Sequence, residues 1–101
     1  MGNKARDVRM SLQTLQLLDA FLENPGEQLA GAAVRKRTGL ASGTLYPILL
    51  RLEGAGWLAS HWESIDPAVA GRPRRRLYRL TRSGLARASA VLSSFGRSVP
   101  A

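Results

Sequence analysis

The sequence contains no cysteine, a single histidine and no acidic residue after Asp66. Without cysteine the chain forms neither a disulfide framework nor a thiolate metal site, and His61 alone cannot build a zinc site without several carboxylate partners. No apolar run approaches the roughly 20 residues that span a membrane, and the first residues lack the apolar core of a signal peptide. We therefore expect a cytoplasmic protein that binds no metal, cofactor or membrane.

Positive charge is concentrated in the last third of the chain. The 101 residues include 15 lysines and arginines and 7 acidic residues, which gives a net charge of +8. Residues 1–66 contain seven basic and seven acidic residues, whereas residues 67–101 contain eight arginines and no acid. So uneven a distribution favours a polyanionic partner, and the densest basic run is residues 71–76. Because 45% of the residues are hydrophobic, we expect this charge to lie on a folded surface.

The length limits the chain to one domain with a modest core. Leucines at three- and four-residue steps predict a first helix from Ser11 to Glu23. A second, shorter helix is expected from about Glu27 to Thr38, closed by Gly39. A domain of this size gains stability from pairing with a second copy, so dimerisation is a reasonable expectation.

A third helix is predicted from Ser42–Thr44 to about Ala55. Proline is tolerated near a helix start, where backbone N–H groups have no helical acceptor. Pro47 therefore indicates that this helix begins at about Gly43 or Thr44. Its inward stripe consists of Leu45, Ile48, Leu49 and Leu52.

The second half of the chain predicts a hairpin and a last helix. Trp57 to Trp62 and Arg76 to Leu80 have the composition of strands, and residues 63–75 between them contain turn signals. Thr81 is expected to cap the last helix. The apolar stripe of this helix has little of its own chain to pack on and comprises Leu85, Ala88, Leu92 and Phe95.

This order of elements predicts a mainly α fold of the α+β class, a winged helix-turn-helix with three helices, a two-stranded β-wing and a C-terminal dimerisation helix. In such a module the third helix enters the major groove of DNA, and the loop between the strands contacts phosphates or the neighbouring minor groove. We divide the chain into a flexible N-terminal arm (1–10), a DNA-binding domain (11–81) and a C-terminal helix and tail (82–101).

Several separately placed motifs make residues 40–86 resemble the PadR family of bacterial transcriptional regulators. They are Ser42–Pro47 with Leu49, Arg51–Glu53, Gly56–Leu58, Trp62–Glu63, Gly71–Arg74, and Tyr78–Thr81 with Gly84. The resemblance implies a homodimeric repressor in the bacterial cytoplasm, associated with the nucleoid when bound to double-stranded DNA and often released by a small-molecule effector. A twofold dimer requires a palindromic operator. The resemblance also implies that the first and last helices form the dimer, through Leu12, Leu15, Leu85, Ala88, Leu92 and Phe95.

The candidate DNA contacts form three groups: the end of the second helix, the start of the third helix, and the wing. Hydroxyl groups at the start of the third helix can reach base edges or phosphates. The candidate residues are Arg35 and Lys36; Ser42, Thr44, Tyr46, Pro47 and Arg51; and Arg72, Arg74, Arg75 and Arg76. Ser42 or Thr44 could instead cap the helix, Tyr46 could pack under the wing, and Arg51 could be a solvated neighbour of Glu53. We interpret Trp57 and Trp62 as packing residues of the hairpin; the alternative, which the resemblance suggests, is a flat ligand-binding surface at a dimer interface.

Other classes of function are less consistent with the residues. A winged-helix adaptor that binds an acidic protein partner is the alternative, because this scaffold also mediates protein contacts. RNA binding is disfavoured by the lack of an aromatic stacking platform. The chain does not group a nucleophile, a base and an orienting residue, so we do not expect an enzyme.

Overall fold

The first helix, α1, covers Leu12–Leu22 and begins where Ser11 caps it. The Ser11 hydroxyl accepts a hydrogen bond from the Thr14 N–H at 3.1 Å, which satisfies one of the N–H groups left free at a helix start. This computed structural model describes Val8 and residues 10–95. The predicted first helix is confirmed, and its buried face includes Leu17, Leu18, Phe21 and Leu22.

A short strand that the sequence does not predict follows the first turn. Leu29–Ala30 form β1, and the second helix, α2, covers Gly31–Thr38 instead of beginning at Glu27. Leu29 pairs with Tyr78, and Ala30 pairs with Leu77. This start is set by backbone partners far along the chain, which local sequence patterns do not reveal. The end of α2 is as predicted, since Gly39 has a φ of 75° and donates its N–H to the Arg35 carbonyl at 2.8 Å.

The third helix, α3, covers Ser42–Gly54, with Ala41 as its N-cap residue and no side-chain cap. Ser42 and Thr44 are therefore both helical residues, and the alternative that either caps the helix is wrong. Pro47 is the sixth residue of α3, further into the helix than expected. Pro47 has no N–H to donate to the Gly43 carbonyl four residues earlier. Gly43 is exposed, so water can donate a hydrogen bond to this carbonyl instead.

The predicted hairpin is confirmed and belongs to a three-stranded antiparallel sheet. Strand β2 covers Leu58–Trp62, strand β3 covers Arg76–Leu80, and the strand order is β1-β3-β2. Leu58 pairs with Leu80 at one end of the hairpin and Trp62 pairs with Arg76 at the other. The loop between them contains a one-turn helix, α4, over Pro67–Ala70. The residues from β2 to the end of β3 are called the wing below.

The last helix, α5, covers Arg82–Ser94. Thr81 caps it as predicted, because its hydroxyl accepts the Gly84 N–H at 2.8 Å and donates to the Gly56 carbonyl at 2.7 Å. Gly84 allows a close approach to the turn before β2, since an added Cβ would meet the Trp57 backbone, with the carbonyl carbon 2.6 Å away. These contacts fix the start of α5 against the sheet.

The expectation that α5 has little of its own chain to pack on is wrong, because one side of this helix belongs to the core. Ala88 and Leu92 are fully buried in one cluster with Leu17, Leu18 and residues of α3. The helices α1 and α5 pack against each other, so these two positions of the predicted dimer stripe are internal packing residues. Leu15 is half-buried against the same core, whereas the exposed members are Leu12, Leu85 and Phe95.

The segment before α1 also differs from the prediction. Val8 and Met10 pack against the core, so a flexible arm is the wrong description for these two residues. The rest of the predicted arm, residues 1–7 and 9, and the tail from residue 96 lie outside the described residues. Within the described part of the chain, every helix is too short or too polar to cross a membrane.

Candidate nucleic-acid interface

The helix α3 has a fully buried side and a continuous exposed side. Leu45, Ile48, Leu49 and Leu52 face the core as the periodicity predicts. The exposed side carries the predicted contacts, namely Ser42, Thr44, Tyr46, Pro47 and Arg51. It also carries Leu50, which is 69% exposed and absent from the predicted set. A leucine outside the core stripe is a signal for apolar contact, and in the major groove such a side chain can meet a thymine methyl group.

Tyr46 is held in place by the start of α2. Its ring lies against the backbone of Gly31, and an added Cβ on Gly31 would stand 2.8 Å from both Cε1 and Cζ. The Tyr46 side chain is still 42% exposed. The contact that orients Tyr46 therefore comes from the start of α2, a partner that the alternative of packing under the wing did not include. Gly31 is a positioning residue that sequence reasoning missed.

Two of the three basic residues at the end of α2 are available to a ligand. Arg35 and Lys36 are exposed, and neither side chain makes a hydrogen bond or ion pair within the described residues. Arg37, in contrast, contacts Glu27 at 3.2 Å and Glu23 at 3.9 Å. Only residues 39–41 separate this helix end from α3, so the positive charge lies beside the start of α3.

The wing loop is closed by Glu63. Its two carboxylate oxygens accept hydrogen bonds from Arg72 Nη1 at 2.7 Å and Nη2 at 3.1 Å, a bidentate pair. The Glu63 carboxylate also accepts the Arg75 N–H at 2.9 Å, and the Glu63 N–H donates to the Arg75 carbonyl at 2.9 Å. The hydrogen bond from Arg72 is the main cause that lowers the pKa of Glu63 to about 2. Arg72 therefore has an internal structural partner.

The tip of the wing presents Arg74 and Arg75. Asp66 caps α4 by accepting the Ala68 N–H at 3.0 Å, and Gly71 ends it with a φ of 71°. Arg74 donates one Nε–H to the Ile65 carbonyl at 3.0 Å, which leaves most of its guanidinium donors free. The Arg75 side chain is exposed and has no hydrogen bond or ion pair among the residues that the structure describes.

Arg76 is turned toward the protein. Its Nε donates to the Ser60 hydroxyl at 2.9 Å, its Nη2 lies 3.8 Å from Glu53 Oε2, and its guanidinium carbon lies 5.1 Å from the centre of the Trp62 ring. The four wing arginines of the sequence prediction thus have different surroundings. Arg74 and Arg75 present free donors, whereas Arg72 and Arg76 have partners within the chain.

The two tryptophans also differ. Trp57 is buried in the core, consistent with a packing role, whereas Trp62 is 58% exposed and packs on Arg76, its partner across the hairpin. Trp62 lines an open groove of about 660 Å³ beside the wing loop, together with Glu63, Pro67, Pro73 and Arg74. Trp57 lines a separate cavity of about 310 Å³ with Val8, Met10, Arg87, Ala90 and Val91. Its Nε1 is buried and has no hydrogen-bond partner among the described residues.

Within the described part of the chain, no group of three or more histidine, cysteine, aspartate or glutamate side chains lies close enough together to hold a metal ion. Among the described residues, the outer side of α3 is exposed, exposed cations end the preceding helix α2, and the wing tip carries Arg74 and Arg75. This arrangement suits an extended polyanion.

Solved structures share this fold. A PadR family transcriptional regulator from Eggerthella lenta is 29% identical, with a TM-score of 0.66, and the match covers 84% of this chain and 76% of that protein. A PadR-like transcription factor from Bacteroides fragilis is 21% identical, with a TM-score of 0.67 and 84% of each chain covered. The MepR–DNA complex of Staphylococcus aureus gives a TM-score of 0.67 at 18% identity, covering 86% of this chain and 65% of MepR. These similarities confirm the winged helix-turn-helix fold.

The comparison with curated protein sequences found no significant match. The family model described as the transcriptional regulator PadR-like family matches residues 17–90, well over half of the chain. This match extends beyond residues 40–86, on which the resemblance in sequence was based, and it includes the second half of α1 and all of α2. Members of this family are transcriptional regulators and not enzymes. The chain belongs to the PadR-like family of transcriptional regulators.

Proposed function

We propose that this protein is a homodimeric repressor that binds a palindromic double-stranded DNA operator through α3 and the wing. The observation that carries the proposal is the exposed side of α3, together with exposed cations on the preceding helix and on the wing. Arg35 and Lys36 lie on α2, and Arg74 and Arg75 lie at the wing tip, and none of the four has an ion-pair partner among the described residues. A transcriptional regulator of this kind acts in the bacterial cytoplasm and associates with the nucleoid while bound to DNA.

The division of labour between α3 and the wing follows from their side chains. The outer side of α3 has hydroxyls on Ser42, Thr44 and Tyr46, an exposed leucine and one arginine, which suit base edges, thymine methyls and nearby phosphates. The wing tip presents guanidinium groups that suit phosphates, and we assign it no contact with base edges. We therefore assign most of the sequence specificity to α3 and most of the salt-dependent affinity to Arg74 and Arg75. The DNA complex of MepR, which has the same fold, supports duplex DNA as the partner.

The dimer is proposed to use exposed apolar side chains on α1 and α5. Leu12 is 67% exposed and Phe95 is 60% exposed, and they lie on two helices that pack together within the chain. Leu85 is exposed at the start of α5. Covering these side chains with a second copy removes apolar surface from water and generates a twofold axis. The operator then consists of two half-sites about 10 base pairs apart.

The effector is proposed to bind in the cavity lined by Trp57. The buried Trp57 Nε1–H has no acceptor among the described residues, and Arg87 lies in the same lining. An apolar molecule with an acidic or acceptor oxygen would satisfy this N–H and fit the apolar walls. The apolar anion 1-anilinonaphthalene-8-sulfonate is a suitable probe. In a Trp62→Phe variant it should quench Trp57 fluorescence and weaken DNA binding, and an unchanged Trp57 signal would contradict this site.

The alternative function is that of an adaptor for an acidic protein. The decisive experiment incubates the wild-type protein with a pool of random-sequence duplexes and sequences the retained fraction. A repressor should enrich a palindromic sequence and bind unselected duplexes weakly at moderate salt. An adaptor should retain little DNA and enrich no sequence. Footprinting on the DNA upstream of the protein's own gene then tests whether the selected sequence is a natural operator.

A further inference from the structure

The connection between α3 and the wing consists of three polar side chains from three elements. Glu53 is next to the last residue of α3, Ser60 lies in the middle of β2, and Arg76 begins β3. The Ser60 hydroxyl donates to Glu53 Oε2 at 2.5 Å and accepts from Arg76 Nε at 2.9 Å. Arg76 Nη2 lies 3.8 Å from the same Glu53 oxygen. These three side chains, Glu53, Ser60 and Arg76, are called the brace.

Each side chain of the brace contacts other side chains of the protein. The single proton of the Ser60 hydroxyl goes to Glu53, and one of its lone pairs accepts Arg76. The guanidinium face of Arg76 lies over the Trp62 ring, its partner across the hairpin. Arg76 therefore has a fixed orientation, in contrast to the adjacent Arg75, whose side chain has no partner among the described residues.

The brace has little to contribute to folding. The side chains of Glu53 and Arg76 remain 32% and 36% exposed, and ion pairs at such positions contribute about 0–1 kcal/mol to stability. The position of Glu53 and Arg76 in the fold indicates a different role. They join the end of the helix that faces DNA to both strands of the wing that faces DNA, so they restrict the angle between the two contact surfaces.

We propose that the brace sets the angle between α3 and the wing, and that Arg76 is a positioning residue and not a phosphate contact. This inference rests on the proposed binding of DNA by α3 and the wing. A specific complex requires both surfaces to reach the duplex in one geometry, whereas nonspecific binding requires only that cations approach phosphates. Loss of the brace should therefore reduce specific binding more than nonspecific binding.

Glu53 allows the proposal to be separated from simple electrostatics. A Glu53→Gln variant loses one negative charge next to a surface that binds a polyanion. Charge alone predicts that this variant binds every duplex more tightly. The brace predicts the opposite result for a specific sequence, because the neutral amide no longer holds Ser60 and Arg76 in the same way. The direction of the change distinguishes the two explanations.

The test uses a duplex that the wild-type protein selects from a random pool and an unselected duplex of equal length. Glu53→Gln and Ser60→Ala should each lower the affinity for the selected duplex about tenfold. Their affinity for the unselected duplex should stay the same or rise, and the salt dependence should not change. Glu23→Gln is the matched control, because Glu23 is an exposed acid at the end of α1, away from the brace. This control should keep the wild-type ratio of the two affinities.

Three outcomes would overturn the proposal. The first is an unchanged ratio of affinities in Glu53→Gln and Ser60→Ala. The second is an Arg76→Gln variant that loses affinity for both duplexes and about one unit of salt slope, as a phosphate contact would. The third is an unchanged orientation of the wing amides relative to the α3 amides in Glu53→Gln, measured by residual dipolar couplings without DNA. Failure of the wild type to select any duplex is a separate result that contradicts the proposed function itself, and the brace proposal with it.

Discussion

The Tyr46 ring on α3 rests on the backbone of Gly31, the first residue of α2, with no room for a side chain between them. The contact joins the two helices of the helix-turn-helix at the end where α3 is most exposed. Glycine is needed at position 31 for this close approach and not for an unusual backbone angle, because its φ is not positive. The position of the Tyr46 hydroxyl therefore depends on a residue outside α3.

A Gly31→Ala substitution should displace the Tyr46 ring with little effect on folding. The ring end is flexible, so the side chain can swing away, and we expect the free energy of unfolding to change by less than about 1 kcal/mol. Affinity for the selected duplex should fall about tenfold, as expected for the loss of one hydrogen bond to DNA. Fluorescence anisotropy with labelled duplex and urea denaturation measure the two quantities. Gly54→Ala, at a helical glycine with open space around it, should leave DNA binding intact.

Removal of the two free wing cations should change the salt dependence of DNA binding. In an Arg74→Ala, Arg75→Ala variant the slope of log affinity against log salt should decrease in magnitude by about two units, because each phosphate contact contributes about one. The comparison is an Arg82→Ala, Arg87→Ala variant, which removes equal charge from α5. If both variants keep the wild-type slope, the wing tip is not part of the interface.

Stability at acidic pH should depend on Glu63. Its pKa in the folded state is about 2, below the ordinary value of 4.5, because Arg72 stabilises the carboxylate. The ionised group therefore contributes stability above about pH 4.5, and this contribution is lost as the pH falls through the folded-state pKa near 2. Glu63→Gln should be less stable than wild type at pH 7, and the difference should shrink between about pH 4.5 and 2. Urea denaturation at a series of pH values measures it, and a difference that is independent of pH would contradict this account.

Two apolar residues of α5 should respond differently to a charge. Leu92 is 1% exposed, so Leu92→Asp buries a carboxylate in the core and should unfold the protein or destabilise it by about 3 kcal/mol or more. Phe95 is largely exposed, and Phe95→Asp should produce a folded monomer. Circular dichroism and sedimentation velocity distinguish these results, with Ser93→Asp, an exposed neighbour, as a folded dimeric control. Persistence of the dimer in Phe95→Asp would exclude this residue from the interface.

The sequence by itself determined the helices α1, α3 and α5, the end of α2, the hairpin and the family resemblance, whereas the start of α2, strand β1 and the one-turn helix α4 did not follow from it. Leucine periodicity places the inward stripe of α3 correctly, and Thr81 predicts the start of α5, because both signals act within a few residues. The motifs between Ser42 and Gly84 are local patterns as well. They are sufficient to recognise the winged helix-turn-helix.

The tertiary structure decided which side chains are available. Ala88 and Leu92 continue the same stripe as Phe95, yet only contact with α1 reveals that the first two are internal. Likewise, Arg72, Arg74, Arg75 and Arg76 are equivalent in a basic run. Their partners, Glu63 for one and Glu53 with Ser60 for another, lie on distant segments. The charge of the run is a property of the sequence, but the direction of each guanidinium depends on the acids, carbonyls and rings that folding brings beside it.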